Sequence, residues 1–324
     1  MGLGTHNLVI VGNGFDLHHG VESSYRDYKD WLQDTHPNLF EKLNRYIDMS
    51  GDWWNDFEGN LARFDIMRII REVPRVYPPR DPRFPPSFYS PAESFFKRLR
   101  EQIIASFQEW VQTISLDDVR KIIDLSAAGL YISFNYTDTL ERVYGIPEAQ
   151  ILYIHGKASR GDKLVFGHSK SHYEIERDYM QKHGLREVEN FFDDGPVITD
   201  EEYQLALNVS FFDKFPYTQI VAYSQILMPV VQAASAVISY GLSFSESDYQ
   251  YLEWIVEQNP NIMWRVSWHT EEDKNKIDSF FKQVGNKKYS VFFFWYSVEN
   301  GASVTIDLEQ MNMFPSRNIF EEHR

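Results

Sequence analysis

Residues 134–141 of the chain read Phe-Asn-Tyr-Thr-Asp-Thr-Leu-Glu, and they follow directly on an apolar run at 130–133. The pair His155-Gly156 follows a second such run at 151–154. Each run is short, rich in β-branched and aromatic residues, and bounded by a polar residue or glycine. This pattern is typical of a buried strand that leads into a loop, so the stretch predicts two strands of one sheet.

Three other apolar runs end in the same way. The runs at 8–11, 164–166 and 236–240 lead into Gly12-Asn13-Gly14, Gly167-His168-Ser169 and Gly241-Leu242-Ser243. In an open parallel α/β sheet, ligands bind outside the carboxyl ends of the strands. If the five predicted strands share one sheet, their polar ends meet in one crevice.

Helical patterns alternate with the strands along the chain. Helices are predicted at 25–36, 95–114, 116–125, 217–235, 248–258 and 271–284, and further strands at 261–268 and 290–296. Such alternation implies a parallel sheet with helices on its faces. The fold class predicted is therefore α/β: a Rossmann-like, three-layer domain with a mainly parallel sheet of six or seven strands.

The chain is predicted to form a single domain, 1–324, that carries two insertions. The first, 38–125, is helical, and its apolar stripe of Trp53, Trp54, Phe57, Leu61 and Phe64 is expected in the core. Prolines concentrated at 73–91 predict an exposed connection within it. The second insertion, 170–216, is acidic and is interpreted either as a solvated face or as a lid or interface.

Composition excludes several classes of protein. The net charge is −15, which makes non-specific binding to nucleic acid unfavourable. The absence of cysteine rules out disulfides, a thiol nucleophile and thiolate zinc sites. The start of the sequence lacks signal-peptide features and no apolar run reaches the ~18 residues of a membrane span, so a cytoplasmic location is expected.

The residues at the strand ends carry side chains that are suited to binding or catalysis. Asn135 offers a donor and an acceptor, and histidines such as His155 titrate near neutrality. Asp16, Asp138 and Asp248 are candidates for binding ribose hydroxyls. Ser243 and the N–H groups of residues 12–15 are candidates for holding phosphate at a helix N-terminus. Taken singly, each residue has a structural interpretation as well: His155 as a core histidine, Asn135 as the start of a turn.

In combination, these motifs resemble a known family. The opening Val9-Ile10-Val11-Gly12-Asn13-Gly14-Phe15-Asp16-Leu17-x-x-Gly20 is similar to that of the phage abortive-infection AbiH family. So are the segment Phe134-Asn135-Tyr136-Thr137-x-x-Leu140-Glu141, the segment Ile154-His155-Gly156 and the segment Gly241-Leu242-Ser243-x-x-Glu246-x-Asp248. The three later motifs also resemble, more distantly, the SIR2-like superfamily of NAD-consuming enzymes.

The resemblance implies roles for individual residues. Asn135 and His155 would be catalytic, with the amide positioning water or ribose and the histidine acting on the ribose hydroxyls. The residues implied around NAD are Gly12, Asn13, Gly14, Phe15, Asp16, Thr137, Asp138, Gly241, Ser243 and Asp248. The chain departs from the superfamily at Asn13, where a small residue is usual, and at Asp16, where serine is usual. The lack of cysteine excludes the zinc ribbon of protein-deacylating sirtuins.

The function implied is phage defence through hydrolysis of NAD at the bond between nicotinamide and ribose. The alternatives are a nucleotide-binding regulatory or sensor module without turnover, and a structural or toxin-partner protein. The expected ligand is a small-molecule nucleotide, with a phage-derived trigger or a second copy of the chain as further partners. No metal and no membrane contact is expected.

Overall fold

The chain divides into two units. The computed structural model describes residues 7–47, 53–73, 91–125, 128–168, 170–185, 200–210, 212, 214, 216–286, 288–293 and 306–307. One unit, here called the sheet unit, comprises Met1–Ser24, Val111–Leu164 and Phe215–Arg324. The other, called the helical unit, comprises Tyr25–Trp110 and Val165–Lys214, and so combines parts of both predicted insertions.

The sheet unit contains a sheet of six strands that all run parallel, which confirms the predicted fold class. Its strands are β1 (Asn7–Val11), β3 (Ala128–Ser133), β4 (Ile151–Tyr153), β5 (Ala236–Tyr240), β6 (Met263–Trp268) and β7 (Tyr289–Phe293). A separate two-residue pair joins β2 (Ile123–Asp124) to β8 (Ile306–Asp307). The order across the main sheet is β4-β3-β1-β5-β6-β7, which is the 3-2-1-4-5-6 order of Rossmann-like sheets.

The strands end level with one another. Val11 at the end of β1 pairs with Ser133 at the end of β3 and with Tyr240 at the end of β5, and Ser133 in turn pairs with Tyr153 at the end of β4. The loops that follow these four strands therefore leave the sheet at one edge. The chain reverses its direction of progress across the sheet between β1 and β5, and this switch point is where such sheets bind ligands.

Both faces of the sheet are buried. All five residues of β1 are buried, as expected for a central parallel strand that is covered on both sides. One face, with Leu8, Ile10 and Trp264, packs against α10 (Pro216–Ala233), α11 (Tyr249–Gln258) and α12 (Glu271–Gln283). The other face, with Val9 and Val11, packs against α1 (Asn13–His18) and α7 (Thr139–Arg142). Each fully buried aliphatic side chain stabilises the fold by roughly 1.5–3 kcal/mol.

The described part of the helical unit is built from short helices around an aromatic core. The helices are α2 (Tyr25–Thr35), α3 (Pro37–Tyr46), α4 (Phe57–Asn60), α5 (Ile66–Glu72), most of α6 (Pro91–Thr113), α8 (His172–His183) and α9 (Asp200–Ser210). The ring of Tyr28 lies 5.1–6.3 Å from the rings of Trp31, Trp54, Phe57, Phe107 and Trp110. The stripe at 53–64 is buried as expected, although three short helical segments and an isolated bridge at Phe64 carry it instead of one helix.

Two predicted elements are wrong. Residues 116–122 form no helix, and the chain passes through them into β2. The run at 164–166 is not a strand, because Gly167, with φ +140°, turns the chain towards Phe212. His168 N there donates to Phe212 O and Lys214 N donates to His168 O, so the chain after the run bonds to this local segment instead of to a strand of the sheet. The predicted connection at 74–90 lies outside the described residues.

Candidate functional site

The glycine loops after β1 and β5 meet at the switch point of the sheet. Gly12 N donates to Tyr240 O at 2.9 Å, and Gly14 N donates to Gly241 O at 2.8 Å. Gly241 has φ +62°, and a Cβ on it would lie 2.0 Å from Phe15 N. Glycine is therefore required at position 241 both by its backbone conformation and by the close approach of the other loop.

This contact changes the predicted role of the loop after β1. Gly12 N, Gly14 N and Phe15 N all donate to backbone oxygens of the protein, with Gly12 O accepting from Phe15 N, so these three groups are not available to a phosphate. The phenyl ring of Phe15 belongs to the core. Asn13 bonds to Ser23 through both ends of its amide, at 2.9 and 2.8 Å. The loop after β1 thus serves to join strands and segments of the sheet unit.

Asp16 is completely buried just after this loop. Its Oδ2 accepts a short hydrogen bond from Thr137 Oγ1, and Thr137 Oγ1 accepts one from Thr139 Oγ1 at 3.2 Å. Burial raises the pKa of Asp16 to about 6, although the polar groups of Thr137, Thr139 and Asn135 lower it. Asp16 was predicted to bind a ribose hydroxyl, whereas the structure places it against the loop of residues 134–141.

Asn135 lies in that loop, one residue beyond the buried Phe134. Phe134 N donates to Val11 O at 2.9 Å, and Asn135 N donates to Ser133 Oγ at 3.2 Å, so the backbone around the amide is fixed to β1 and β3. The side chain of Asn135 is buried, yet its Oδ1 accepts no hydrogen bond from the described residues. A buried acceptor of this kind loses free energy unless a donor reaches it.

His155 follows β4 and is enclosed by aromatic rings. Its imidazole is 2% exposed and lies 5.2 Å from the Phe134 ring, 6.0 Å from the Tyr136 ring and 5.8 Å from the Tyr251 ring. Its Nε2 lies 3.9 Å from Asp248 Oδ1. The structure thus brings the predicted histidine next to one of the three predicted carboxylates.

Asp248 reaches His155 from the far side of the switch point. It immediately precedes α11, is 6% exposed, and its Oδ2 accepts from Ser245 Oγ at 3.1 Å. The strands β4 and β5 that lead to the two residues are separated in the sheet by β3 and β1. A carboxylate at this distance acts through its charge and stabilises the protonated form of the imidazole, which suits a group that accepts a proton during a reaction.

The sequence matches a known protein family. The family described as bacteriophage abortive infection AbiH has a model that matches residues 8–268, well over half of the chain. The chain belongs to the AbiH family. No curated protein and no solved structure matches it. Membership gives this AbiH protein a role in abortive infection, the defence of bacteria against phage, and the matched range contains the glycine loops, Asn135, His155 and Asp248.

Other residues of this AbiH protein lie at the edge of the site or away from it. Asp138 is half-buried at the start of α7, and Ser243 is exposed. His168 is buried in the helical unit, donates from Nε2 to Val209 O at 3.1 Å, and has a pKa lowered to about 4 by burial. His19 donates to Phe15 O and accepts from Tyr144, and burial lowers its pKa to about 4 as well. The rings of both histidines are held by hydrogen bonds within the protein.

Sequence reasoning missed three residues near the site. Tyr251 lies one helical turn beyond Asp248, and its hydroxyl donates to Gln219 Oε1 at 2.7 Å. Thr139 extends the hydrogen-bond chain to Asp16. Lys157 is 7% exposed, and its Nζ lies 2.8 Å from Glu141 and 3.6 Å from Glu148. The i, i+3 spacing of Tyr251 after Asp248 was the one available signal, since helical neighbours share a face.

Two kinds of feature are absent from the described residues. They contain no group of three or more His, Asp or Glu side chains arranged to hold a metal ion. None of the helices in the same ranges has the length and apolar character needed to cross a membrane.

Proposed function

We propose that this AbiH protein hydrolyses NAD at the bond between nicotinamide and ribose. The observation that carries the proposal is the position of His155 Nε2, 3.9 Å from Asp248 Oδ1, at the carboxyl edge of a parallel sheet with the Rossmann strand order. That edge is where sheets of this order bind nucleotides. The distant resemblance of the same motifs to SIR2-like enzymes favours NAD among the nucleotides.

The reaction needs charge stabilisation more than a strong nucleophile. The bond from ribose C1′ to the nicotinamide nitrogen breaks, both electrons leave with the neutral nicotinamide, and positive charge develops on the ribose. A water oxygen bonds to C1′ and gives its proton to His155, and the charge of Asp248 stabilises the resulting imidazolium. General-base assistance of this kind contributes about 10²–10⁴ in rate.

Asn135 is the second catalytic residue of the proposal. Its Oδ1 is buried and accepts no hydrogen bond from the described residues, so it is ready to accept one from water or from a ribose hydroxyl. Holding the attacking water in line converts a bimolecular encounter into an oriented one, which is worth several kcal/mol of activation free energy. Asp138 and Asp248 are the proposed partners of the ribose hydroxyls, with Thr137, Gly241 and Ser243 nearby in the strand-end loops.

Incubation of the purified protein with NAD, followed by chromatography of nicotinamide and ADP-ribose, tests the proposal. We expect His155→Ala and Asn135→Ala each to lower nicotinamide release by at least 10²-fold, with an unchanged circular dichroism spectrum. His18→Ala is the matched control, a half-buried histidine of the same unit, and should retain wild-type turnover. Wild-type turnover by the His155 variant would refute the mechanism.

Binding of a nucleotide without turnover is the second candidate. The burial of His155, 2% exposed, favours it, because hydrolysis requires a water molecule to enter the site beside the base whereas binding does not. This candidate predicts a thermal shift with NAD or another nucleotide but no nicotinamide release by wild-type protein. Under it the site acts as a sensor, and a phage-derived trigger or a second copy of the chain would receive its signal.

A further inference from the structure

One carboxylate of the sheet unit has no part in the reaction described above. Asp16 is 0% exposed, and a buried carboxylate is costly unless its oxygens are satisfied. Its Oδ2 accepts from Thr137, whereas its Oδ1 accepts no hydrogen bond from the described residues. The contacts of Asp16 indicate what this side chain contributes.

The contacts of Asp16 lead to Asn135. Thr137 lies two residues beyond Asn135, and Thr139 donates to Thr137 Oγ1 at 3.2 Å, which orients the Thr137 hydroxyl towards Asp16. The loop that carries these residues is otherwise fixed before Asn135 by Phe134 N, which donates to Val11 O, and after it by Tyr136 O, which accepts from Ala158 N. Asp16 adds a side-chain hydrogen bond to this loop at Thr137, on the C-terminal side of Asn135.

We propose that Asp16 is a positioning residue: through Thr137 it fixes the loop of residues 134–141 so that the Asn135 amide keeps one orientation. The role of Asn135 in turnover rests on the proposed function, but the positioning itself does not. Asp16 does not contact the substrate in this proposal, which replaces its expected role as a ribose ligand.

Hydrogen exchange measures the positioning without any substrate. The backbone amides of Phe134 and Asn135 both donate hydrogen bonds, and they report whether the loop opens. We expect Thr137→Val, which removes the donor but keeps the shape, and Asp16→Ala to speed their exchange at least tenfold. Thr137→Ser keeps the hydroxyl and should exchange like wild type. The double variant should be no faster than either single variant, because both remove one interaction.

Turnover gives the second measurement. A displacement of about 1 Å at a catalytic group costs up to ~10² in rate, so Thr137→Val and Asp16→Ala should lower kcat by about 10–10²-fold with KM changed much less. Thr137→Ser should restore most of kcat. Ser106→Ala is the matched control, since it removes a buried hydroxyl that bonds to Tyr28 at 2.8 Å in the helical unit. It should lower stability and leave loop exchange and kcat unchanged.

The two measurements separate the two proposals. Faster loop exchange in Thr137→Val, together with wild-type protein that releases no nicotinamide, supports positioning and refutes the proposed hydrolysis. Loop exchange that stays at the wild-type rate in both Thr137→Val and Asp16→Ala overturns the positioning role, whatever the turnover. If Asp16→Ala does not fold, the comparison of Thr137→Val with Thr137→Ser decides the same question.

Discussion

His155 Nε2 lies 3.9 Å from Asp248 Oδ1, although 93 residues separate them along the chain and two strands separate β4 from β5 in the sheet. The contact spans the switch point from one side to the other. It is possible because the loops after β4 and β5 leave the sheet at one edge. The parallel register thus brings the two residues together and places two titratable side chains of the site next to each other.

The first prediction concerns Asp248. Asp248→Asn keeps the size of the side chain but removes the charge that stabilises His155 when it accepts a proton. We expect kcat for nicotinamide release to fall by about 10–10²-fold. Glu246→Gln removes an exposed charge two residues earlier and should leave kcat unchanged. Equal effects of the two substitutions on kcat would show that the overall charge of the protein, and not the position of Asp248, determines the rate.

The second prediction concerns the pH dependence of stability. The pKa of Asp16 is raised to about 6 by burial, so the folded state binds the proton more tightly than the unfolded state, where the value is 3.8. The group therefore stabilises the fold fully below pH ~4 and loses that contribution as the pH rises through about 6, a change of roughly 3 kcal/mol. The charge of Asp138 raises the pKa of Asp16 further, so Asp138 must stay unchanged in these measurements.

Asp16→Asn removes this titration. Relative to wild type, the variant should gain free energy of unfolding as the pH increases from 4 to 7, by up to roughly 3 kcal/mol. Urea denaturation of both proteins at several pH values measures the difference. A difference that is constant over this range would mean that Asp16 titrates normally in the folded protein.

The third prediction isolates the contact between the two glycine loops. Gly241, φ +62°, and Gly145, φ +71°, have similar backbone conformations, but a Cβ on Gly145 meets nothing within 4 Å whereas one on Gly241 lies 2.0 Å from Phe15 N. Gly145→Ala should cost about 1 kcal/mol of stability from backbone strain alone. Gly241→Ala should cost clearly more, by steric conflict with the β1 loop. Urea denaturation compares them, and equal losses would contradict the close approach.

The fourth prediction concerns a buried ion pair in the helical unit. Lys214 Nζ lies 2.5 Å from Glu58 Oε2, with side-chain exposures of 4% and 10%, and Glu58 also accepts a hydrogen bond from Tyr25. Lys214→Met leaves a buried carboxylate without this cation and should cost about 3–5 kcal/mol. Adding Glu58→Gln should recover part of the loss.

Lys170 provides the control for that prediction. It pairs with Asp178 at 2.6 Å on the surface, where both side chains are more than 40% exposed. Lys170→Met should cost less than about 1 kcal/mol because water screens the pair. Thermal and urea denaturation measure both variants. If the Lys170 substitution costs as much as the Lys214 substitution, burial is not what gives the Glu58 pair its strength.

The sequence by itself determined the six strands of the main sheet and their parallel arrangement, and it predicted the edge at which the site would form. Short apolar runs such as those at 8–11 and 236–240, separated by helical patterns, leave few other ways to bury both faces of each strand. Because parallel strands end at the same edge, the order of runs and loops along the chain is enough to assign His155, Asn135 and Asp248 to one crevice. The family motifs reinforced the same assignment.

Only the tertiary structure decided which neighbours each of these residues has. The order β4-β3-β1-β5 places Asp248 beside His155 and places Asp16 where it accepts a hydrogen bond from Thr137. The hydrophobic periodicity of a segment does not predict the order of the strands in the sheet. The run at 164–166 has the composition of a strand, yet it is not part of the sheet, and His168 just after it bonds to Phe212 and Lys214. Hydrophobic pattern reports how much of a segment is buried, whereas contacts between distant segments select its partner.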